Sequence, residues 1–457
     1  GFVCRSWALE RGAVEEHSLE LARGLAARGH RVHVLCLDER GASAPYATQI
    51  EVIDGVDVRR MACGAAAQSA LADLVVDARA DNVVTAWLAE VPCDVVHVHH
   101  LAGFGAGALR AIAALGRPLV VTLHDYWLLC PREQMCSASG ELCAQPLASV
   151  CGPCLARTWP QLMPSKGGDR RGQDGNPAPT DEQAAARRTH FAVAQLGLAQ
   201  RRLVPSRAAA EPFVRVGVEE KALDVCAHGL DHAHIAREVA ASRAAHLRPA
   251  GDFVRLGVLG RVQSTSGVLA LIEAFAAARV PNLALEIHGE LANDHGDASY
   301  AARVRERAAA TARVTLHGAL SRADLPRVLA ALDGVAAPVT WNEVDNRALR
   351  EARAAGLPVL VSDRAGSVDV AQGGRAGLVV AAHDREAWSR ALERFASDSQ
   401  ARAAWSATPH ELRNIGEMTL DVEGHYLAAI RDASGEVRPN APPQRAKASF
   451  LRRWFGG

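Results

Sequence analysis

Charge of neither sign prevails in this chain: Lys and Arg number 51, and Asp and Glu 51. Such a balance supplies no global field to gather nucleic acid. Long apolar runs are also missing; none reaches the ~18 to 20 residues that a membrane-crossing helix needs, and no secretory leader is visible. A cytoplasmic protein is therefore expected. The segment "FVCRSW" after Gly1 already reads as strand, so the first strand is expected to be cut short at its start. No internal repeat is detectable. The glycine string "GFGAG" at Gly103 to Gly107 follows an internal strand and lacks the full dinucleotide fingerprint, so no NAD site is expected there.

What is present fits two α/β domains. A chain of 457 residues exceeds what one core usually supports, and a hydrophobic share of 49% is ample for two. In the first half "RVHVLCL", "DVVHVHH" and "PLVVTLH" are short apolar runs of the kind buried on both faces of a parallel sheet, separated by helical segments such as "HSLELARGLAARG". In the second half "FVRLGVLG", "LALEIHG", "RVTLHG", "GVAAPV" and "PVLVS" repeat the pattern. Doubly wound architecture, twice over, is the expectation. The first domain is expected over 1–235 and the second over 250–412, with a further helix within 413–436. Residues 164–185, rich in Gly, Pro and charge without apolar periodicity, are expected to be a mobile loop.

Glu343 and Glu351 flank seven residues, the second in "LREARAAGLPVLVSD", a helix that runs into an apolar strand. The strand before them ends at Pro338, and ligands of open α/β sheets bind beyond the carboxyl ends of strands. Both carboxylates can therefore face one cleft, although glutamates are favoured at a solvated helix N-terminus in any case. The stretch "APVTWNEVDNRALREARAAGLPVLVSDRAGSVDV" resembles the donor-site block of the retaining glycosyltransferases of family 4, which have the GT-B fold of two Rossmann-like domains facing across a cleft. Further resemblances follow in the family's order: "GAVEEHSLELARGLAARGHRVHVL", "DVVHVHHL", "VTLHD", "VPSRAAAEPFVRVGV" with "HGLD", and "LGVLGRVQSTSGVLALIEAF".

That resemblance implies that the helix within 413–436 returns to the first domain, and it implies roles for particular residues. Glu351 matches the glutamate that hydrogen-bonds the donor ribose, Glu343 the one near the donor sugar, and His124 the histidine that reaches the sugar from the first domain. A carboxylate can accept two hydroxyl hydrogens at once, which a vicinal diol presents. His124 could have its other nitrogen fixed by Asp125. Arg261 stands at the family's diphosphate arginine, but Ser266 replaces the lysine, so another cation such as Arg347 or Arg364 has to substitute or the donor site is weakened. One charge-assisted phosphate contact is worth roughly 1.5 to 3 kcal/mol. Asn346 replaces a proline or glycine of the donor loop; in the turn that faces phosphates and acceptor, Gly12 persists, Ala13 replaces a second glycine, and Glu15 follows.

His97, His99 and His100 form "HVHH". Strand alternation puts the first two on one face and the third on the other, so a common metal is not expected. Five cysteines fall within 130–154, and Cys151 and Cys154 have the C-x2-C spacing of half a zinc site. The resembling subgroup, with "HDYWLLCPR" before a cysteine-bearing excursion, implies Cys130, Cys143, Cys151 and Cys154 as ligands of a structural zinc, with Cys136 as spare; free thiols and an iron–sulfur cluster are the alternatives. No cofactor is required for catalysis. The tail 437–457 interleaves Arg445, Lys447, Arg452 and Arg453 with Phe450, Leu451, Trp454 and Phe455, a pattern that can lie on an anionic membrane face. The expected function is transfer of a hexose-type sugar from a nucleotide diphosphate to a saccharide or lipid-linked acceptor, plausibly in cell-surface polysaccharide assembly. A catalytically degenerate binding subunit and a GT-B sugar-nucleotide epimerase are the competing readings.

Overall fold

The structure, a computed structural model, describes residues 1–7, 12–38, 44–63, 68–166, 179–245, 253–364 and 366–434. The tail 437–457 and its basic and aromatic residues lie outside the described residues. The first half runs β1 (Phe2–Val3), α1 (Ala13–Ala27), β2 (His33–Asp38), β3 (Thr48–Ile53), β4 (Val56–Ala62), α2 (Ala78–Glu90), β5 (Val96–Val98), α3 (Gly107–Ala114), β6 (Leu119–Thr122), α4 (Ala148–Thr158), α5 (Asp181–Leu196), β7 (Arg201–Val204), α6 (Arg207–Arg215), β8 (Asp224–Val225) and α7 (His232–Ala245). Its strands form one sheet in the order β3-β4-β2-β1-β5-β6-β7-β8, parallel except for the antiparallel β3–β4 hairpin at the edge. That hairpin is joined through the turn at Asp54 and Gly55, both with positive φ.

The second half runs β9 (Val254–Leu259), α8 (Val268–Ala277), β10 (Leu283–His288), α9 (Ser299–Ala309), β11 (Val314–Gly318), α10 (Leu325–Ala331), β12 (Gly334–Ala337), α11 (Arg347–Ala354), β13 (Val359–Ser362), α12 (Ser367–Val370), β14 (Gly377–Val380), α13 (Arg385–Ser397), α14 (Ser399–Ala407) and α15 (Ile415–Ala433). Its sheet is wholly parallel, in the order β11-β10-β9-β12-β13-β14. Helices cover both faces of each sheet, as the uninterrupted Val, Ile and Leu runs of the strands require. No helix among the described residues is long and apolar enough to cross a membrane.

Two packing details correct the boundaries expected from sequence. The segment α7, placed partly in the first domain, packs against the second: Ile235 and Val239 join Leu325, Leu329 and Leu332 in one cluster. The expected loop over 164–185 ends early, because Thr180 caps α5, its hydroxyl accepting from Gln183 N while the Gln183 side chain accepts from Thr180 N, so residues 181–185 are already helix. Residues 167–178 of that loop lie outside the described residues. At the other end α15 crosses back: Met418, Val422 and Tyr426 pack with Phe2, Leu21 and Val34 of the first domain. Gly24 permits this approach, since a Cβ there would stand 2.3 Å from Thr419 Oγ1.

Candidate functional site

The cleft is built from chain that leaves the carboxyl ends of β6, β9 and β12. After β12 the loop carrying Glu343 is held to the turn after β9 by Thr340 N donating to Thr265 O at 2.9 Å. Gly267 makes that contact possible: its φ is +69°, and a Cβ there would fall 1.9 Å from Pro338 O. Farther along the loop Val344 inserts into the core of the first domain, and Trp341 packs against both cores. The two domains therefore meet through the donor loop itself. Glu343 accepts from Asn346 Nδ2 at 2.5 Å and from Ser367 Oγ at 3.3 Å. Burial pushes its carboxyl up to about 7, and those two hydrogen bonds restrain the rise. Asn346 also caps α11, its Oδ1 accepting from Leu349 N at 2.9 Å, which accounts for asparagine at this position.

Glu351 is buried, and both of its described contacts fall on Oε1, from Arg322 Nη2 at 2.5 Å and Arg347 Nε at 2.8 Å. Arg347 in turn grips Glu20 of α1 with two parallel bonds, Nη1 to Oε2 at 2.8 Å and Nη2 to Oε1 at 2.7 Å. Its Nε also lies 2.5 Å from Glu16 Oε2. Burial works against the Arg347 charge, but the Glu20 hydrogen bonds and the charges of Glu351, Glu20 and Glu16 outweigh it and hold its pKa raised. Arg347 thus has three carboxylates as partners, and its position is that of an interdomain clasp. Arg364 has a lighter load: Nε donates to Thr340 O at 3.4 Å, and Nη1 pairs with Asp363 at 3.2 Å.

The first domain contributes histidines. His124 follows β6, and its Nε2 lies 3.1 Å from His99 Nδ1. The neighbour expected to fix it, Asp125, faces the other way and pairs with His100 Nε2 at 2.7 Å, because successive side chains alternate at the strand end. That carboxylate outweighs the effect of burial and lifts the His100 pKa to about 9. As strand alternation requires, His97 and His99 share a face, with ring centroids 4.0 Å apart. His124 also stands 4.8 Å from the His17 ring of α1 and 5.0 Å from the His228 ring. His228 reaches the donor loop, its Nδ1 lying 2.8 Å from Asp345 Oδ2, where Arg350 Nη2 also donates at 2.6 Å. Asp345 stays ionised: burial would raise its pKa, but Arg350 and the His228 hydrogen bond hold it well below the usual carboxylate range. Burial, followed by the neighbouring rings, lowers the pKa of His17, His99 and His124, so all three are neutral.

The phosphate side is less completely built. Arg261 is exposed at the end of β9. Ser266 spends its hydroxyl locally, donating to Gln263 O at 2.6 Å. Arg261 and Arg5 both act on Glu133 of the excursion, whose pKa burial raises and Asp125 raises further. Gln134 of the excursion accepts from Thr265 Oγ1 at 2.9 Å across the cleft. Gly12, with φ +146°, caps α1 and accepts from Glu16 N at 3.1 Å; Ala13 begins the helix and Glu15 lies on its first turn.

In the excursion Arg188 of α5 is the organising residue. Fully buried, it donates to Trp127 O at 2.5 Å and Leu128 O at 3.0 Å, which pins the chain leaving His124. Cys130, Cys143, Cys151 and Cys154 approach one another closely enough that, after burial, the other thiols are the next cause raising the Cys151 pKa to about 12. Burial followed by Cys143 and Cys130 likewise raises Cys136 to about 12. Thiols are the donor type a tetrahedral zinc takes, but the sulfurs of the excursion are not gathered into one coordination shell. Among the described residues, the triads whose ligand atoms all lie within 4.8 Å of one another are His17/His124/His228, Glu286/His288/His317 and His100/Asp125/Glu133, none of which contains a cysteine.

Sequence reasoning missed Glu16, Glu20, Arg322, His17, His228 and Asp345. The i, i+4 pairs Glu16/Glu20 and Arg347/Glu351 were available as a charge signal, but nothing in the sequence places two distant helices in contact.

Two parallel-sheet α/β domains that meet at the carboxyl ends of their strands define a GT-B protein. Solved structures share this fold. Sucrose-phosphate synthase from Thermosynechococcus elongatus matches with a TM-score of 0.66 at 16% identity, covering 95% of this chain and 99% of that one. The Anabaena protein HepE, solved with UDP and glucose, matches with 0.62 at 17% identity over 93% and 98%. Residues 14–234 match Glycosyltransferase Family 4 and residues 241–409 match Glycosyl transferases group 1, and the chain belongs to the family 4 glycosyltransferases. It is 28% identical over 208 residues to a D-inositol 3-phosphate glycosyltransferase of Stackebrandtia nassauensis, a stretch that is 43% of this chain and 45% of that protein. A relative of the same name in Saccharomonospora viridis is 36% identical over 121 residues, 25% of this chain and 28% of that protein. The chain thus spans less than half the length of the curated relatives it matches.

Proposed function

We propose that this chain is a retaining hexosyltransferase that moves a sugar from a nucleotide diphosphate donor to a saccharide or lipid-linked acceptor, in cell-surface polysaccharide assembly at the cytoplasmic face of a membrane. One observation carries the reading. His124 of the first domain stands against His228, and His228 is bonded to Asp345 of the loop that carries Glu343. An imidazole and a carboxylate from opposite domains thereby share one cleft, where a donor sugar needs polar groups on both sides.

In this reading Glu351 uses Oε2 for the ribose, its described contacts being on Oε1. Arg261 and Arg364 supply the charge that steadies the departing diphosphate, together with N–H groups at the start of α8. Glu343 and His124 orient the sugar hydroxyls for attack on the face the leaving group vacates. A zinc held by Cys130, Cys143, Cys151 and Cys154, or Cys136 in place of one, braces the excursion and takes no part in the chemistry.

Ser266 favours a second reading, that of a catalytically degenerate binding subunit, because its hydroxyl is spent on Gln263 O. Incubation with UDP-, GDP- and ADP-sugars decides between them. The hexosyltransferase releases nucleoside diphosphate and, with an acceptor, transfers sugar with its anomeric configuration kept. A binding subunit retains nucleotide without turnover, and an epimerase releases free nucleotide and an altered sugar with no acceptor present. Inversion at the anomeric carbon would overturn the retaining assignment.

A further inference from the structure

His17 is 5% exposed, and neither of its ring nitrogens has a hydrogen-bond partner. Such an orphan is costly, because a buried polar group without a bond has lost its water and gained nothing in exchange. Two more orphans sit beside it, His124 Nδ1 and His228 Nε2. One ring nitrogen from each of the three residues lies within 4.8 Å of the others. Three histidines that each carry an unsatisfied ring nitrogen thus come together from α1, the end of β6 and the chain before α7.

We propose that His17, His124 and His228 form a site for a divalent transition metal of the zinc class. The outer bonds have the arrangement such a site requires. Asp345, acceptor only, takes the Nδ1 proton of His228 at 2.8 Å and leaves Nε2 as a lone pair. Arg350 holds that carboxylate in place at 2.6 Å. His124 bonds His99 through Nε2 and so keeps Nδ1 for the metal. Carboxylate–histidine pairs of this kind fix the orientation of metal-bound imidazoles. Neutral nitrogen donors select zinc, copper, cobalt or nickel over magnesium and calcium, which take oxygen. The nitrogens have to close to ~3.4 Å, the tetrahedral edge for bonds of ~2.0 to 2.1 Å. His17 has no hydrogen bond to break in turning toward the ion. A cleft of about 230 Å³ lined by Ser206, His228, Asp345, Arg350, Gly366 and Arg413 reaches one of the three ligands, His228.

Three ligands leave a fourth position open toward the cleft. The consequence, which rests on the function proposed above, is that metal and donor sugar compete for His124. The binding itself does not rest on it, so its test uses neither nucleotide nor turnover. Chelator-stripped full-length chain is titrated with Co2+, and visible ligand-field bands are followed alongside the near-ultraviolet thiolate charge-transfer band. The expected result is one equivalent of Co2+ that gives a four-coordinate visible spectrum without thiolate charge transfer, separate from the equivalent that the cysteines of 130–154 take with the thiolate band. His17→Gln and His228→Gln each weaken it tenfold or more, and Asp345→Asn weakens it ~10- to 100-fold. Circular dichroism confirms that each variant is folded. A cobalt spectrum that appears only with the thiolate band, or a titration unchanged in both His17→Gln and His228→Gln, overturns the site.

Discussion

Arg347 of α11 and Glu20 of α1 meet fork to fork, Nη1 to Oε2 at 2.8 Å and Nη2 to Oε1 at 2.7 Å, and so join the helix behind the donor loop to the helix behind the glycine turn. The first prediction concerns this clasp. Removing one member of a buried pair leaves the other charges uncompensated and costs roughly 3 to 5 kcal/mol. Arg347→Ala should therefore destabilise the chain by about that much in urea unfolding, since Glu20 loses its partner and Glu16 and Glu351 are left to share Arg322. Glu20→Gln should cost less, because Arg347 keeps two carboxylates. Equal stability of Arg347→Ala and the parent would show the clasp to be a surface contact.

The second prediction tests the sugar side of the cleft. Glu343→Gln and His124→Ala should fold normally and lose transfer activity by ~10²-fold or more, about 2.7 kcal/mol of transition-state stabilisation. Parent-like turnover in both variants would place the chemistry elsewhere.

Much of this site was legible in the sequence. The strand that ends before Pro338, the two glutamates at their spacing and the histidine after β6 are local patterns, and local patterns survive in one dimension. Asp125 was misassigned because one residue along a strand end flips a side chain to the other face, and only the fold says which face is which. The role of Arg347 was hidden for a different reason. Its partners Glu16 and Glu20 lie on α1, more than 320 residues away, and a contact at that separation leaves no periodicity to detect. His17 and His228 lie in the segments "GAVEEHSLELARGLAARG" and "HGLD", yet their approach depends on the meeting of distant parts of the chain.

A third prediction follows from the engagement of Arg347. The cation that substitutes for the missing lysine should be Arg364, whose described contacts are one carbonyl and one half-exposed carboxylate. Calorimetry with UDP should show Arg364→Ala weakening binding by roughly tenfold, one charge-assisted contact, and Ser266→Lys strengthening it. Silence of both variants would favour the binding-subunit reading.

His97 supports a prediction of pH dependence. It is fully buried, with Nδ1 2.7 Å from Tyr426 Oη and Nε2 2.7 Å from Thr122 Oγ1, and it fastens α15 to the first sheet. Burial lowers its pKa to about 3. The unfolded chain binds a proton near pH 6.5 and the folded one does not, so stability falls as pH drops from about 6.5 toward 3, by up to ~1.4 kcal/mol per pH unit from this residue. Urea midpoints at pH 7 and pH 5 should differ in that sense, and His97→Gln should reduce the difference. A parent midpoint that rises on acidification would contradict this account.

The last prediction concerns the excursion. Burial, followed by the neighbouring thiols, raises the pKa of Cys143 and Cys151, so without a counter-ion these two are protonated. Structural zinc sites bind with roughly 10 to 16 kcal/mol in small peptides, more than enough to order such a segment. Protein purified from zinc-supplemented medium should therefore carry zinc that shields Cys130, Cys143, Cys151 and Cys154 from a thiol reagent until a chelator is added. Cys151→Ser should expose the remaining thiols without chelator, loosen residues 130–154 in hydrogen exchange, and leave UDP affinity intact, because the proposed nucleotide contacts belong to the second domain. The histidine triad cannot mimic this result, since it protects no thiol. Five excursion cysteines that react freely before chelation, with less than about a tenth of an equivalent of zinc lost on chelation, would rule the structural site out.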